Sequence, residues 1–420
     1  MKASDHAAGW IRRRVSPRLS SWLTSEKRID ASYRRYARRR DGLPELEFFF
    51  RVDDPRSLLM LQVLETLVTR HQVKIIPRVV QTLPSWAHPA PELAANWNLA
   101  DSAQLARHYG LHWSGGMRQP TAERARDLAV RLAGEEEFSA FAAKAAIACG
   151  QLWLGQEAGA ELGETQPGAL AANEARLERL KFYDSAAVYF EGEWYAGLDR
   201  LTHLDRRLGK CESSLLQARP PPVPRPVGGE LEYFFSFRSP YSYLAMERVA
   251  NMARDWGCNL RLSPVLPMVT RGMAVRAAKR RYIVLDAARE ARAGEIEFGR
   301  ICDPLGEVVE RCLALTYAMR EDPRPMDLPQ VLARAVFARG QDLSRDRVLR
   351  RVLEDATMSW EQAVSALSDA SWRDWVADNR ERLNDAQLWG VPCLRYAKIV
   401  CWGQDRLWVI EDALAAAATN

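Results

Sequence analysis

The chain has 420 residues, 47% of them hydrophobic, and a formal charge of +5. It is too long for one ordinary core and apolar enough to build two, so two domains are the default expectation. It contains neither a secretory h-region nor a run of about eighteen apolar residues, which predicts a soluble cytoplasmic protein. Its seven cysteines are odd in number and include no C-x-x-C pair, a pattern expected of a reducing compartment and not of a disulfide scaffold. All six histidines precede residue 204, so the C-terminal half alone cannot build a histidine base or a histidine-containing metal site.

Much of the positive charge is local. Lys2, Arg12 to Arg14, Arg18, Lys27, Arg28, Arg34, Arg35 and Arg38 to Arg40 crowd an arm over residues 1–42. Such an arm reads as a solvated basic helix, with nucleic-acid or acidic-membrane contact as the sharper alternative. Beyond it, Leu46 to Leu59 (LEFFFRVDDPRSLL) is matched at a constant offset of 185 by Leu231 to Leu244 (LEYFFSFRSPYSYL), pairing Pro55 with Pro240 and Ser57 with Ser242. The next apolar runs, Val73 to Val80 and Cys258 to Val265, keep that offset, and one amphipathic helix lies between strands in each copy. Each half therefore opens with a βαβ unit, and the chain reads as an internal duplication.

Within Leu231 to Met246 the apolar run ends at Arg238-Ser239-Pro240 and helical spacing follows. Ser239 stands where an N-cap belongs, and Pro240 at the first helical position, where its missing N–H costs nothing. The free N–H groups of that first turn, backed by the helix dipole, suit an anion at the end of the strand. Each half closes on a second match at an offset of 206, Tyr195 to Leu201 (YAGLDRL) against Cys401 to Leu407 (CWGQDRL). The middle of the second half is thus longer by 21 residues. A short hairpin precedes each closing motif: Ala187 to Phe190 and Glu193 to Ala196 around Glu191-Gly192, then Cys393 to Tyr396 and Lys398 to Cys401 around Ala397.

The middles, about residues 90–180 and 270–388, read as helical insertions; Ser359 to Gln362 is a capping box, and Ser371 starts a helix carrying Trp372 and Trp375. Ala218 to Gly229 is a proline-rich spacer ending in Gly228-Gly229. The expected organisation is a basic arm (1–42), a first domain (43–210), a linker (211–229) and a second domain (230–420).

The order βαβ, helical insertion, ββα, together with FFSFRSPYSYLA, Lys279-Arg280-Arg281-Tyr282, Gly390-Val391-Pro392 and WGQDRL, resembles the kappa-class glutathione transferases and the related 2-hydroxychromene-2-carboxylate isomerases. Those enzymes belong to the DsbA-like branch of the thioredoxin superfamily. The resemblance covers residues 230–416 and, more faintly, about 43–208. It implies an α/β chain of two tandem thioredoxin-like (DsbA-like) domains, each with a helical insertion, and glutathione as cofactor.

By the same resemblance Ser239 lies beside the glutathione sulfur, and Val391 meets the cysteinyl backbone with cis Pro392 holding the geometry. Asp405 meets the γ-glutamyl ammonium, the N–H groups around Gln404 and Asp405, with Arg406, meet its carboxylate, and Lys279 lies near the glycyl carboxylate. No metal is implied. A thiol of pKa about 8.5 needs about 2.7 kcal/mol of preferential thiolate stabilisation to fall by two units, which a hydroxyl donor at a helix N-terminus can supply. Cys393, next to Pro392, is read as a small buried residue.

The first half departs from the pattern, with Asp54 in place of Ser239, Ala186 in place of Pro392 and Leu198 in place of Gln404. A carboxylate there repels a thiolate, so this half is expected to be a degenerate copy packed on the second as a pseudo-dimer within one chain. Three functions follow. The first is a glutathione-dependent isomerase or transferase acting on an electrophilic or conjugated substrate. The second, a dithiol oxidoreductase of the DsbA type, needs a cysteine pair where Ser239 stands. The third is a non-catalytic binding or scaffold protein, which a groove plugged by Tyr241, Arg238 or a side chain of the helical insertion favours and an open groove disfavours.

Overall fold

The computed structural model describes residues 16–209, 213–273, 275–356 and 358–419. They form two compact units. One comprises residues 30–220 with 276–279; the other comprises the described residues up to Ile29, then 221–275 and 280 onward. The change between them falls at Pro220 and Pro221, within the proline-rich stretch, and the basic segment is divided at Ile29 and Asp30. Residues 16–24 are helical, as are Glu26–Arg39, a helix without a buried residue whose Arg34, Arg35, Arg38 and Arg39 are exposed.

Both units are α/β and thioredoxin-like, with the same sheet plan. In the first, β1 (Glu45–Phe50) pairs parallel with β2 (Lys74–Val79) and antiparallel with β3 (Ala187–Phe190), which forms a hairpin with β4 (Glu193–Ala196). In the second, β5 (Glu230–Phe235), β6 (Asn259–Pro264), β7 (Cys393–Tyr396) and β8 (Ile399–Trp402) repeat that arrangement. The orders are β2-β1-β3-β4 and β6-β5-β7-β8. Between the parallel strands run the helices Pro55–His71 and Pro240–Asp255, each with proline in its first turn. The second insertion holds six α-helices against four in the first, among the described residues.

The central strands are buried on both faces because helices cover each sheet, and Phe48, Phe49, Phe50, Phe234 and Phe235 are fully enclosed. Each central strand nevertheless carries one buried acid at a matched position. Glu47 is ion-paired with Arg78 at 3.0 Å and with Arg176 at 2.6 Å. Burial works to raise its pKa, but the pairs with Arg176 and Arg78 prevail and hold it below the usual carboxylate value. Glu232, 1% exposed, pairs with Arg382 and Arg395 and accepts from Ser263 Oγ at 2.7 Å. The register sets Arg261 and Arg395 directly beside it on the neighbouring strands.

Three strands differ in their bounds from the sequence reading. The edge strands β2 and β6 are one residue shorter at each end than the apolar runs, and the last strand is Ile399–Trp402, one position later than expected. Ala397 is in the left-handed region at φ 51° and Tyr396 pairs with Ile399, so Lys398 completes a two-residue turn. Glu191-Gly192 makes the matching turn in the first unit, at φ 47° and 92°. The capping box at Ser359 and Gln362 is formed, with both reciprocal bonds present.

Candidate functional site

The second unit builds its site where β5 hands over to the helix Pro240–Asp255. Ser242 acts as scaffold. Its Oγ accepts from Ser236 N at 3.3 Å and its carbonyl from the Tyr233 hydroxyl at 2.7 Å. Ser57 closes the same turn in the first unit, accepting from Arg51 N at 3.1 Å. Ser239 is the N-cap, with extended backbone, and its Oγ accepts from Ser242 N at 3.2 Å. Among the described residues, the hydroxyl proton is held only by a long 3.4 Å contact to Val391 O. A donor engaged so weakly is free to turn to a stronger acceptor.

Val391-Pro392 is a cis peptide bond. Pro392 O accepts from Gly403 N at 2.9 Å, which ties the closing motif to the turn facing Ser239. Gln404 is fixed from two sides: Arg248, on the helix that Ser239 caps, donates to its carbonyl at 2.8 Å, and its Nε2 donates to Glu290 at 2.6 Å. Asp405 lies 3.5 Å from Arg406 Nη1, and Arg406 is 8% exposed, so this pair is not a loose surface contact. Gly390 passes so close to the Trp402 indole that a Cβ there would overlap it, while Trp402 is edge-packed on Trp389 at 4.5 Å. Gly390→Ala is expected to cost about 1–3 kcal/mol through overpacking, read as a lower unfolding temperature of the second unit.

Beside Ser239 and Val391 opens a cavity of about 450 Å³, within the range of small-molecule sites. Tyr241 and Arg238 line it without filling it, because the Tyr241 hydroxyl donates to Asp286 at 2.8 Å and Arg238 pairs with Asp303 at 2.8 Å. Among the described residues, the walls carry the cations Arg238, Arg271, Arg280 and Arg281 and the single acid Asp303, with a large apolar share from Leu266, Val284, Ile301 and Phe337. Arg271 donates from Nη2 to Trp389 O at 2.8 Å, while its Nε is buried with no hydrogen-bond partner among the described residues. Burial and then the nearby Arg380 push its guanidinium below the ordinary value.

The sequence-predicted residues are thus distributed unevenly. Ser239 and Val391 line the cavity; Pro392 and the segment Gln404, Asp405 and Arg406 stand behind Val391, joined to it through Gly403. Lys279 is placed elsewhere. It groups with the first unit, where its ammonium donates to Ala87 O at 2.9 Å and lies 5.5 Å from the Tyr183 ring centre. Burial lowers its pKa, against the opposing field of Asp184. Its neighbours Arg280 and Arg281 are the members of that motif lining the cavity. Arg271 had no local signal in the sequence, whereas Leu19 and Leu23, also in the wall, show an i,i+4 spacing after Ser16-Pro17. Cys393 donates to Gly390 O at 3.1 Å, and burial, then Cys401, pushes its thiol well above the ordinary value.

The matching positions of the first unit hold a closed ionic cluster. Asp54 caps the helix Pro55–His71 and pairs with Arg56 at 2.9 Å; Arg56 also pairs with Asp184 at 3.0 Å. Ser185, in the place of Val391, donates to Asp54 at 2.7 Å, and His88 lies 3.3 Å from Asp184. Burial works to raise the Asp184 pKa, but Arg56 and then His88 hold it far below the usual carboxylate range. The Asp54 charge is therefore already compensated, and these polar groups are spent on one another.

Residues 230–415 match the family model of the DSBA-like thioredoxin domain. The chain is 24% identical to a 2-hydroxychromene-2-carboxylate isomerase of Pseudomonas sp. (strain C18) over 202 residues, 45% of this chain and 92% of that protein. A second such isomerase, from Pseudomonas putida, is 22% identical, covering 44% of this chain and 93% of its own. Among solved structures, a 2-hydroxychromene-2-carboxylate isomerase is similar with a TM-score of 0.40 and 21% identity, over 45% of this chain and 96% of that one. The cytosolic disulfide reductase DsbM from Pseudomonas aeruginosa with GSH is similar with a TM-score of 0.34 and 17% identity, over 45% and 97%.

Proposed function

We propose that the second unit is a glutathione-dependent isomerase, with the thiolate held at Ser239 and the electrophilic substrate in the adjoining cavity. The observation that carries this reading is a weakly committed hydroxyl at a helix N-terminus, beside cis Val391-Pro392 and open to a cavity of about 450 Å³. Two curated isomerases, similar over 45% and 44% of this chain, support the same reading. Ser239 donates to the thiolate and the helix dipole adds a favourable field. Val391 meets the cysteinyl backbone and Pro392 sets its direction. Asp405 and the N–H groups around Gln404 and Asp405 receive the γ-glutamyl end, with Arg406 bracing Asp405. The glycyl carboxylate role implied for Lys279 passes to Arg280 or Arg281, which line the cavity.

In the reaction, the thiolate adds to an electrophilic carbon of a conjugated double bond. The C–S bond forms while the π pair moves into the conjugated carbonyl. Rotation about the resulting single bond, return of the pair and cleavage of C–S release the isomer and regenerate the thiolate, with no net redox change. A transferase instead keeps the C–S bond, and the enolate takes up a proton to give the neutral conjugate. The uncommitted cavity weighs against a plugged, purely structural domain.

Calorimetric titration of the full chain with glutathione is expected to show one site per chain. Ultraviolet difference spectroscopy is expected to show bound thiolate at neutral pH. Absence of binding at millimolar glutathione sinks the reading.

A further inference from the structure

The helix of residues 16–24 is inverted for a surface helix. Its inward face is small and polar: Ser20 and Thr24 are buried, whereas Leu19 and Trp22 are 51% and 56% exposed. Ser16 Oγ donates to Ile301 O at 2.9 Å, and Ser20 Oγ accepts from Ile301 N at 2.8 Å, so two hydroxyls one turn apart grip one residue of the domain. Arg292 donates to Thr24 O at 3.2 Å. At Gly340 an added Cβ would overlap the Pro17 ring, so the domain also leaves room for this helix. Such fixing orients the other stripe. Leu19 and Leu23, one turn apart, both line the cavity that contains Ser239.

Ser16 lies at the Ser239 end, because its Oγ also accepts from Asp303 N at 3.5 Å and Asp303 holds Arg238, the neighbour of Ser239. With a rise of about 1.5 Å per residue, Leu19 and Leu23 stand about 5 and 10 Å further along the helix. Val284, Ile301 and Phe337 line the same space. We propose that this helix is a specificity element: Leu19 and Leu23 form the apolar wall against which the body of the non-thiol ligand packs while its reacting end lies at Ser239. The ligand class is a small molecule with an apolar ring or chain. Its role as second substrate rests on the glutathione reading above, but the wall itself is testable without it.

The test uses the full chain, with anilinonaphthalenesulfonate fluorescence as the apolar probe and calorimetry for glutathione. A Leu19→Ser, Leu23→Ser double variant, altering side chains outside the core, is expected to weaken the probe about tenfold and leave glutathione affinity within twofold. Leu23→Trp, which fills the cavity instead of widening it, is expected to abolish probe binding at the cavity. Unchanged probe affinity in both variants overturns the proposal. Parallel loss of probe and glutathione affinity also overturns it, since the helix then merely supports the domain. If glutathione fails to bind the wild type while the probe still responds to both variants, the glutathione reading falls and the apolar wall stands.

Discussion

Ser239→Ala is expected to raise the pKa of bound glutathione by about 1.5 and to lower glutathione-dependent turnover about thirtyfold at neutral pH. A charge-assisted hydrogen bond is worth about 2 kcal/mol, which converts to those figures at 1.36 kcal/mol per pKa unit. Alanine also removes the N-cap acceptor for Ser242 N, at a cost to stability of about 1 kcal/mol, so the variant mixes two effects. Ser239→Asp separates them. Asp54 shows that a carboxylate caps this helix type well, but Arg56 stands beside it; Tyr241 is the corresponding neighbour of Ser239. The aspartate variant should therefore keep the wild-type unfolding temperature to within a few degrees while rejecting the thiolate. Spectrophotometric titration of bound thiol and the turnover rate read the chemistry; thermal unfolding reads the cap. Wild-type turnover in Ser239→Asp would refute the role of Ser239.

Arg56→Ala is expected to destabilise the first unit by about 3 kcal/mol, the lower end of the cost of breaking a buried ion pair. Asp54 is 4% exposed and the Asp184 side chain 14%, so removal of Arg56 leaves two neighbouring carboxylates without their shared cation. The lower end applies because the Arg56 side chain itself is 22% exposed and partly screened. The pH dependence has a definite sign. Asp184 has its folded pKa depressed below the unfolded value near 4, so its pair stabilises the fold above that value and the contribution fades as pH falls below it. The wild type should thus lose stability on acidification below about pH 4. The gap between wild type and variant should be widest at neutral pH and narrow in acid, where protonation relieves the unpaired carboxylates. Thermal unfolding of both proteins at neutral and acid pH decides this. A gap that widens on acidification contradicts the assignment.

These two sites occupy equivalent chain positions, which explains why much of the plan was readable from spacing. The offset of 185 pairs Pro55 with Pro240 and Ser57 with Ser242, and both prolines open helices while both serines close the same turn. The Glu191-Gly192 turn has its counterpart at Ala397-Lys398, and following the offset of 206 there gives the observed final strand where local turn chemistry alone did not. Pro392 was legible from the motif order around it, and its bond is cis. Lys279 was harder, because one position along a helix decides which surroundings a side chain meets; it engages Ala87, whereas Arg280 and Arg281 line the cavity.

By itself the sequence determined the local events: where strands hand over to capped helices, where the two hairpins fall to within one residue, and that Ser239 stands at a helix N-terminus. Those depend on residues within a few positions of one another or on motifs in a fixed order. Only the tertiary structure decided the environment of that serine. It brought Leu19 and Leu23 into one cavity with Ser239 and set Arg271 in its wall. It also joined Asp54, Arg56 and Asp184 into a closed cluster in the first unit. Each of these rests on a contact between distant segments, set by side-chain reach and burial; the i,i+4 spacing of Leu19 and Leu23 marks a helix stripe but not what that stripe faces.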